Sequence, residues 1–206
     1  MHIAVLVYGR LNKCVEHYEN IRNSLGQENT IDFFLSSDNS KQELLDDFIK
    51  LYNPILYTNE LIHYDYDLGK YKKKEQTKYV FIPNMTSHFI NKNRVIALLE
   101  EHIHKHDIYY DCVVSLRIDC VFRNTFHFTP LEENTIYIPE SYDYDGINDM
   151  IAYGKLDVMK KYNYINAVDL LEKSLSIPHP ESLTYANILF HKIKIKRCKV
   201  SYYLER

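Results

Sequence analysis

Tyr110-Asp111-Cys112-Val113-Val114-Ser115-Leu116-Arg117-Ile118-Asp119-Cys120-Val121-Phe122 decides the architecture of this chain. An apolar, β-rich run stops abruptly at Arg117 and Asp119, and apolar residues resume at once. A continuous run of this kind predicts a strand over residues 111–116 buried on both faces, as in parallel sheets. Charges at its end matter because open α/β sheets bind ligands in the crevice beyond the carboxyl ends of their strands. Side chains alternate along a strand with period two, so Arg117 and Asp119 point the same way. They either cap the strand as an ion pair or offer a cation and a carboxylate to a metal-bound phosphate ligand.

Outward from this strand the chain alternates between two periods. His2 to Tyr8 is a short β-rich run broken by Gly9, and Leu11 to Leu25 has helical spacing with Gly26 as its stop signal. Ile31 to Leu35 predicts a second strand. Residues 41–51 form an amphipathic helix through Leu44, Leu45, Phe48 and Leu51, ended by Pro54, and Ile55 to Tyr57 predicts a third strand. This β-α-β-α-β order predicts a parallel sheet with right-handed crossovers. Residues 59–83, rich in Tyr, Asp and Lys and including Lys72-Lys73-Lys74, lack periodicity and read as a long loop. Thr86 to His106 is the longest helix, with an apolar stripe of Phe89, Ile90, Val95, Leu98, Leu99, His102 and Ile103. Beyond the central strand follow short strands around 135–138 and 149–153, helices near 155–174 and 180–192, and a terminal strand at 195–204. The expected fold is a single α/β domain over residues 1–206, with a mostly parallel central sheet flanked by helices.

Composition narrows the function classes. With 206 residues, 46% hydrophobic and 26% charged, the chain has the makings of one ordinary globular core. A net charge of -3 argues against non-specific affinity for nucleic acid or an anionic membrane. No apolar run approaches a membrane span, and Ile3 to Val7 is too short for a signal core, so a cytoplasmic setting is expected. Cys14, Cys112, Cys120 and Cys198 are scattered without a CxxC pair and read as buried thiols in a reducing compartment. The 19 Tyr with no Trp reflect AT-rich coding, so they carry no argument for base or sugar stacking.

Five constellations have possible chemistry. Gly9-Arg10 ends the first strand, where a glycine lets a ligand approach the backbone and an arginine adds a phosphate donor. Arg117 and Asp119 form the second. Asp143-Tyr144-Asp145-Gly146-Ile147-Asn148-Asp149 is an acidic loop before a strand. Asp143 and Asp145 read as turn residues, while an acid here could also take a proton from an acceptor hydroxyl. In Pro178-His179-Pro180-Glu181 the prolines fix the backbone, and Glu181 opens a helix whose dipole favours an acid. His102-Ile103-His104-Lys105-His106 reads as a solvated cluster at a helix C-terminus rather than a metal site.

Taken in order, Gly9-Arg10, Ile31-Asp32-Phe33-Phe34-Leu35-Ser36, Tyr110-Asp111 with Arg117-Ile118-Asp119-Cys120-Val121-Phe122, Asn148-Asp149 through Gly154, His179-Pro180-Glu181 and Tyr203-Leu204-Glu205-Arg206 form a pattern. The chain resembles the compact GT-A-type glycosyltransferase domains of large DNA viruses and bacterial surface-polysaccharide loci. The resemblance implies a nucleotide-sugar donor, a UDP-sugar favoured, and a glycan, glycoprotein or other hydroxyl acceptor. It places Asp119 on Mn²⁺ or Mg²⁺ with the donor diphosphate, although Arg117 stands where related enzymes carry a first aspartate. It puts Asp149 forward as catalytic base or sugar-binding residue, and Gly9, Arg10, Arg117, His179 and Glu181 at the donor. Residues 1–122 would form the donor half and 123–206 the acceptor half. A catalytically inactive glycan- or protein-binding domain of the same fold and a sugar nucleotidyltransferase remain as alternatives.

Overall fold

The computed structural model describes residues 1–63, 82–128, 130–166, 168–169 and 179–205. In chain order the elements are β1 (His2–Tyr8), α1 (Cys14–Ser24), β2 (Thr30–Ser36), α2 (Gln42–Tyr52), β3 (Leu56–Thr58), α3 (Ile82–His106) and β4 (Cys112–Arg117). They continue with β5 (Cys120–Phe122), β6 (Thr135–Pro139), β7 (Ile151–Gly154), α4 (Leu156–Asn163), α5 (Pro180–Phe190), β8 (Lys194–Cys198) and β9 (Tyr202–Leu204). Seven strands form one sheet in the order β3-β2-β1-β4-β7-β6-β8, and β5 pairs with β9 separately. The strands β3, β2, β1 and β4 run parallel, and β7 lies antiparallel between β4 and β6. The expected mostly parallel sheet flanked by helices is therefore what the chain builds.

The expected double burial of the central strands follows from helices on both faces. One face sets Ile3, Val5, Val7, Phe33, Leu35, Val114 and Leu116 against α1 and α2, through Cys14, Ile21, Leu45 and Phe48. The other sets Ala4, Leu6, Tyr8, Phe34 and Val113 against α3 and α4, through Val95, Ile96, Leu99, Val158 and Met159. Burying each large aliphatic side chain stabilises the fold by roughly 2 kcal/mol. Punctuation is local: Gly26 turns the chain after α1 at φ +86°. After α2, Asn53 takes a left-handed φ of 45° and Pro54 prevents continuation.

Topology decides where a ligand can sit. From β1 the chain winds outward to β2 and β3, then returns through α3 to β4 on the other side of β1. The β1/β4 boundary is thus a topological switch point, and the crevice beyond its carboxyl ends is the default ligand site. Register places Tyr8 opposite both Ser36 and Arg117 at that edge. The antiparallel β7 begins there too, because the Arg117 N–H donates to the Met150 carbonyl at 3.0 Å.

Three expectations need correction. The single terminal strand at 195–204 is two strands in different sheets. The Asn124 side chain takes the Ser201 N–H at 2.7 Å and donates to the Lys199 carbonyl, turning the backbone between β8 and β9. The helix expected near 155–174 breaks after Asn163. Asn93 of α3 there clasps the Ile165 backbone, accepting its N–H at 2.9 Å and donating to its carbonyl at 3.1 Å. The short strand β5, directly after Asp119, was not expected at all. Residues 64–81 of the expected loop, with Lys72-Lys73-Lys74, and residues 170–178 lie outside the described residues. No helix among the described residues is long and apolar enough to cross a membrane.

Candidate functional site

The residues at the switch point form a buried cluster of charge. Arg117 ends β4 on the α3 face, as period two requires of a residue in phase with Val113 and Ser115. It grips Asp119 in a fork: Nε donates to Oδ1 at 3.1 Å and Nη2 to Oδ2 at 2.5 Å. Both side chains are largely buried, at 23% and 17% exposure. Burial disfavours the guanidinium's charge, but Asp119 more than offsets this and keeps Arg117 firmly cationic.

Asp149 stands beside them just before β7, and its side chain is 2% exposed. Its backbone is fixed from two sides. Asn148 Oδ1 accepts the Met150 N–H at 3.0 Å, while Asn148 Nδ2 donates to the Ser141 carbonyl at 2.6 Å and to Tyr202 Oη at 2.7 Å. The Tyr8 hydroxyl, one residue before Gly9, donates to the Asp149 carbonyl at 2.9 Å and more weakly to that of Met150 at 3.1 Å.

Two partners of Asp149 come from α3. His88 Nε2 lies 3.0 Å from Asp149 Oδ2. Lys92 follows one helical turn later and is fully buried. Its ammonium sits over the Tyr162 ring at 3.7 Å from the centroid and within 5.9 Å of the Tyr8 ring. Lys92 Nζ and Asp149 Oδ1 have no hydrogen-bond partner among the described residues. Orphaned buried polar atoms are rare in native folds and call for an explanation, such as a catalytic role or a bound water or ion.

The electrostatics follow from burial and proximity. Burial pushes the Lys92 ammonium down to about 7, with Asp149 opposing. Burial likewise lowers His88 against the pull of Asp149, favouring the neutral imidazole. Burial alone would raise Asp149, but His88, Lys92 and Arg117 hold its carboxyl below the ordinary range. Glu181 moves the other way, up to about 7, through its own burial and the repulsion of Asp149.

Glu181 reaches this cluster because α5 docks on the Asp149 loop. The Ile147 N–H donates to the Glu181 carbonyl at 3.2 Å. A Cβ on Gly146 would lie 2.3 Å from the same carbonyl group, so only glycine permits the approach. Asp143 accepts the Gly146 N–H through its carbonyl at 2.9 Å, in the expected turn, and its carboxylate takes the fork of Arg197. His179 caps α5 through its backbone: its N–H donates to Ser182 Oγ at 3.1 Å and its carbonyl accepts the Leu183 N–H at 3.0 Å.

Gly9 has φ +111° with open space around its α-carbon, and its N–H donates to the Ser36 carbonyl at 3.1 Å. Arg10 follows, exposed at the same edge. Glu16 and Asp38, two candidate acidic partners for it, are engaged elsewhere among the described residues. Glu16 pairs with Lys13 at 3.6 Å, and Asp38 accepts from Ser87 and from the Ile62 N–H. Of the residues singled out from sequence, the fold joins Arg117, Asp119, Asp149 and Glu181. It sets Gly9 and Arg10 at the rim and His179 at the start of α5. The His102 and His106 rings lie 4.7 Å apart, tilted by 44°, at the other end of α3, remote from this edge. A surface hollow lined by Met1, Asp111, Leu131 and Lys155 also lies at that opposite end of the sheet.

Sequence reasoning missed His88, Lys92 and Tyr8. The available signal was their pattern: two basic residues four apart inside an apolar helical stripe, and an aromatic hydroxyl just before the strand-ending glycine.

A divalent cation on Asp119 can be tested against this donor set. Both carboxylate oxygens of Asp119 already accept from Arg117. Among the described residues no group of three His, Cys, Asp or Glu side chains is arranged to hold a metal. Mg²⁺-type cations are held by one or two carboxylates together with substrate phosphates and water, and the carboxylate at this strand end is already engaged by a guanidinium. Without the donor's own phosphates these residues are a poor fit for a resident Mn²⁺ or Mg²⁺.

No protein-family model matches the chain, and no curated protein matches its sequence. Its structure is similar to the galactosyltransferase LgtC, solved in complex with donor and acceptor sugar analogs, with TM-score 0.53 and 11% identity over 96% of this chain and 73% of that one. It is similar also to the apo-form glycosyltransferase GlyE of Streptococcus pneumoniae TIGR4, with TM-score 0.53 and 14% identity over 94% of this chain. The chain spans 44% of the GlyE chain, less than half its length. At such identities a likeness speaks to architecture, and the architecture of this chain is one that these glycosyltransferases share.

Proposed function

We propose that the chain is a glycosyltransferase that moves a sugar from a nucleotide-sugar, a UDP-sugar by preference, to a hydroxyl of a glycan or glycoprotein. The supporting observation is the position of the buried charges. Arg117, Asp119, Asp149, Glu181 and Lys92 meet at the β1/β4 switch point of a fold shared with glycosyltransferases. Fold alone does not establish activity. Buried, mutually perturbed acids and bases at the ligand edge of the sheet are costly to stability, and such groups cluster at functional sites.

In this reading the bond between the anomeric carbon and the diphosphate breaks, and its electron pair leaves on the phosphate oxygen. The acceptor oxygen bonds to that carbon and gives up its proton. Arg117 and Arg10 meet the charge growing on the diphosphate, the kind of electrostatic stabilisation that preorganised donors supply. Gly9 lets the nucleotide approach the backbone, and His179 and Glu181 at the start of α5 border the donor sugar. Asp149 is the acid at the transfer centre. It takes the acceptor proton if the enzyme inverts, and holds sugar hydroxyls if it retains. The four unpaired, buried cysteines suit a reducing compartment such as the cytoplasm.

The test is a panel of UDP-, GDP-, dTDP- and CMP-sugars on the purified full chain. A donor present at a hundred times its Kd stabilises the native state by about 2.7 kcal/mol, a readily measured rise in Tm. That donor should release its nucleoside diphosphate when a suitable glycan is added. No thermal response and no turnover with any of the panel would refute the proposal. Binding without turnover would point instead to a non-catalytic glycan-binding domain.

A further inference from the structure

We infer that guanidinium groups of this chain hold the donor diphosphate, and that no divalent cation takes part in holding it. The inference rests on the nucleotide-sugar reading above and goes beyond it by replacing the cation with Arg117 and Arg10.

Three observations carry it. First, Arg117 binds Asp119 with only one side of its fork. Nε and Nη2 are used, and Nη1 makes no hydrogen bond among the described residues. A guanidinium has five N–H donors in a fixed plane, so the free side can accept a second oxyanion while the first keeps it aligned. Asp119 is then a positioning residue. It also serves to keep the guanidinium charged in a buried site. Second, each oxygen through which Asp119 would bind a metal already accepts from Arg117. A cation on the remaining lone pairs would be set against the positive charge of that buried guanidinium. Third, Arg10 lies exposed at the adjoining strand end without an acidic partner among the described residues, directly after a glycine that leaves room for a ligand.

The charge balance is consistent with this assignment. Asp119 offsets one guanidinium and Asp149 faces the Lys92 ammonium. Burial lowers the Lys92 ammonium to about 7, and negative charge brought to this strand end would favour its charged form.

Calorimetric titration of UDP, GDP and uridine into the full chain tests the inference, once with EDTA and once with MnCl₂. The affinity for the preferred nucleoside diphosphate should agree within about twofold between the two buffers, since the guanidinium contacts need no metal. Arg117→Lys should weaken that binding about tenfold or more and leave uridine binding unchanged, because an ammonium cannot hold Asp119 and phosphate with one planar fork. Uridine affinity and the thermal melt report whether the variant is folded. Asp119→Asn should weaken nucleotide binding equally in both buffers. Binding that appears only with Mn²⁺, with the increment lost in Asp119→Asn, overturns the inference and leaves the glycosyltransferase reading standing. Metal-independent binding that survives Arg117→Lys overturns the assignment to Arg117. No nucleotide binding in either buffer overturns both readings together.

Discussion

Lys92→Met should make the protein more stable, and the size of the effect can be worked out. Lys92 is fully buried, its ammonium has no hydrogen-bond partner among the described residues, and burial pulls it from the ordinary 10.5 to about 7. Holding the charged form in the fold rather than in water therefore costs about 5 kcal/mol at low pH, at 1.36 kcal/mol per unit. The sign follows from proton counts. Below about pH 7 both folded and unfolded chains carry the proton, and the cost is fully present. Above about 10.5 neither carries it and the cost is gone. In between, unfolding takes up a proton, so stability rises with pH by up to about 1.4 kcal/mol per unit. Two terms reduce what the mutation recovers. The ammonium gains up to ~2 kcal/mol from the Tyr162 ring, 3.7 Å away. Methionine also removes a counter-charge from Asp149.

Methionine fills a similar volume without a charge. The net expectation is a gain of about 2 kcal/mol at pH 6.5, or ~4–8 °C in Tm for a chain of this size. Denaturant melts from pH 6 to 9 should show the wild-type rise above pH 7 and a flatter line for the variant. A lower Tm for Lys92→Met, or an unchanged slope, would refute the reasoning. It would mean that the ammonium is worth more as the counter-ion of Asp149 than it costs to bury.

Asp149→Asn should lower sugar transfer by ~10²-fold or more with donor affinity little changed, measured as kcat and KM with the identified acceptor. Loss of donor binding instead would make Asp149 a donor-site residue. Glu181, raised to about 7 from 4.5, binds a proton in the fold that the unfolded chain lacks, so it should reduce stability as pH rises from about 4.5 to 7. Glu181→Gln should remove that decline and melt higher than wild type at pH 8, by an amount tempered by partial solvent access. An unchanged acid-limb slope would contradict the shift. Arg10→Lys should weaken UDP-sugar binding much more than uridine binding, as titration of both ligands would show. Equal losses for the two ligands, or none for either, would remove Arg10 from the phosphate site.

The alternation of apolar runs, helical stripes and breakers through residue 58 was enough to specify a parallel α/β sheet, because burial on both faces leaves a continuous apolar signature that no surface strand carries. Period two placed Arg117 on the α3 face, but Asp119 lies in the turn between β4 and β5, and it is that turn that brings its carboxylate to the guanidinium. The strand-ending glycine and the Asp/Gly turn at Asp143–Gly146 were local events with local signals. What neighbours along the chain could not decide was which distant groups share a volume. Hydropathy placed Ile90, Leu98 and Ile103 in the buried stripe of α3, yet these are only partly covered, while Asn91 and Lys92 are buried. The helix is rotated because its face is chosen by what the sheet edge presents: Ser36 for Asn91 at 2.8 Å, and the Tyr8, Tyr162 and Asp149 surroundings for Lys92. A lysine reads as solvent-facing until the carboxylate that compensates it is known, and that carboxylate comes from a loop far along the chain. The same holds for the meaning of Asp119. Sequence allowed it to be a metal ligand or a partner for Arg117, and only the packed site showed each of its oxygens accepting from the guanidinium, because which atoms lie within reach is fixed by the tertiary fold.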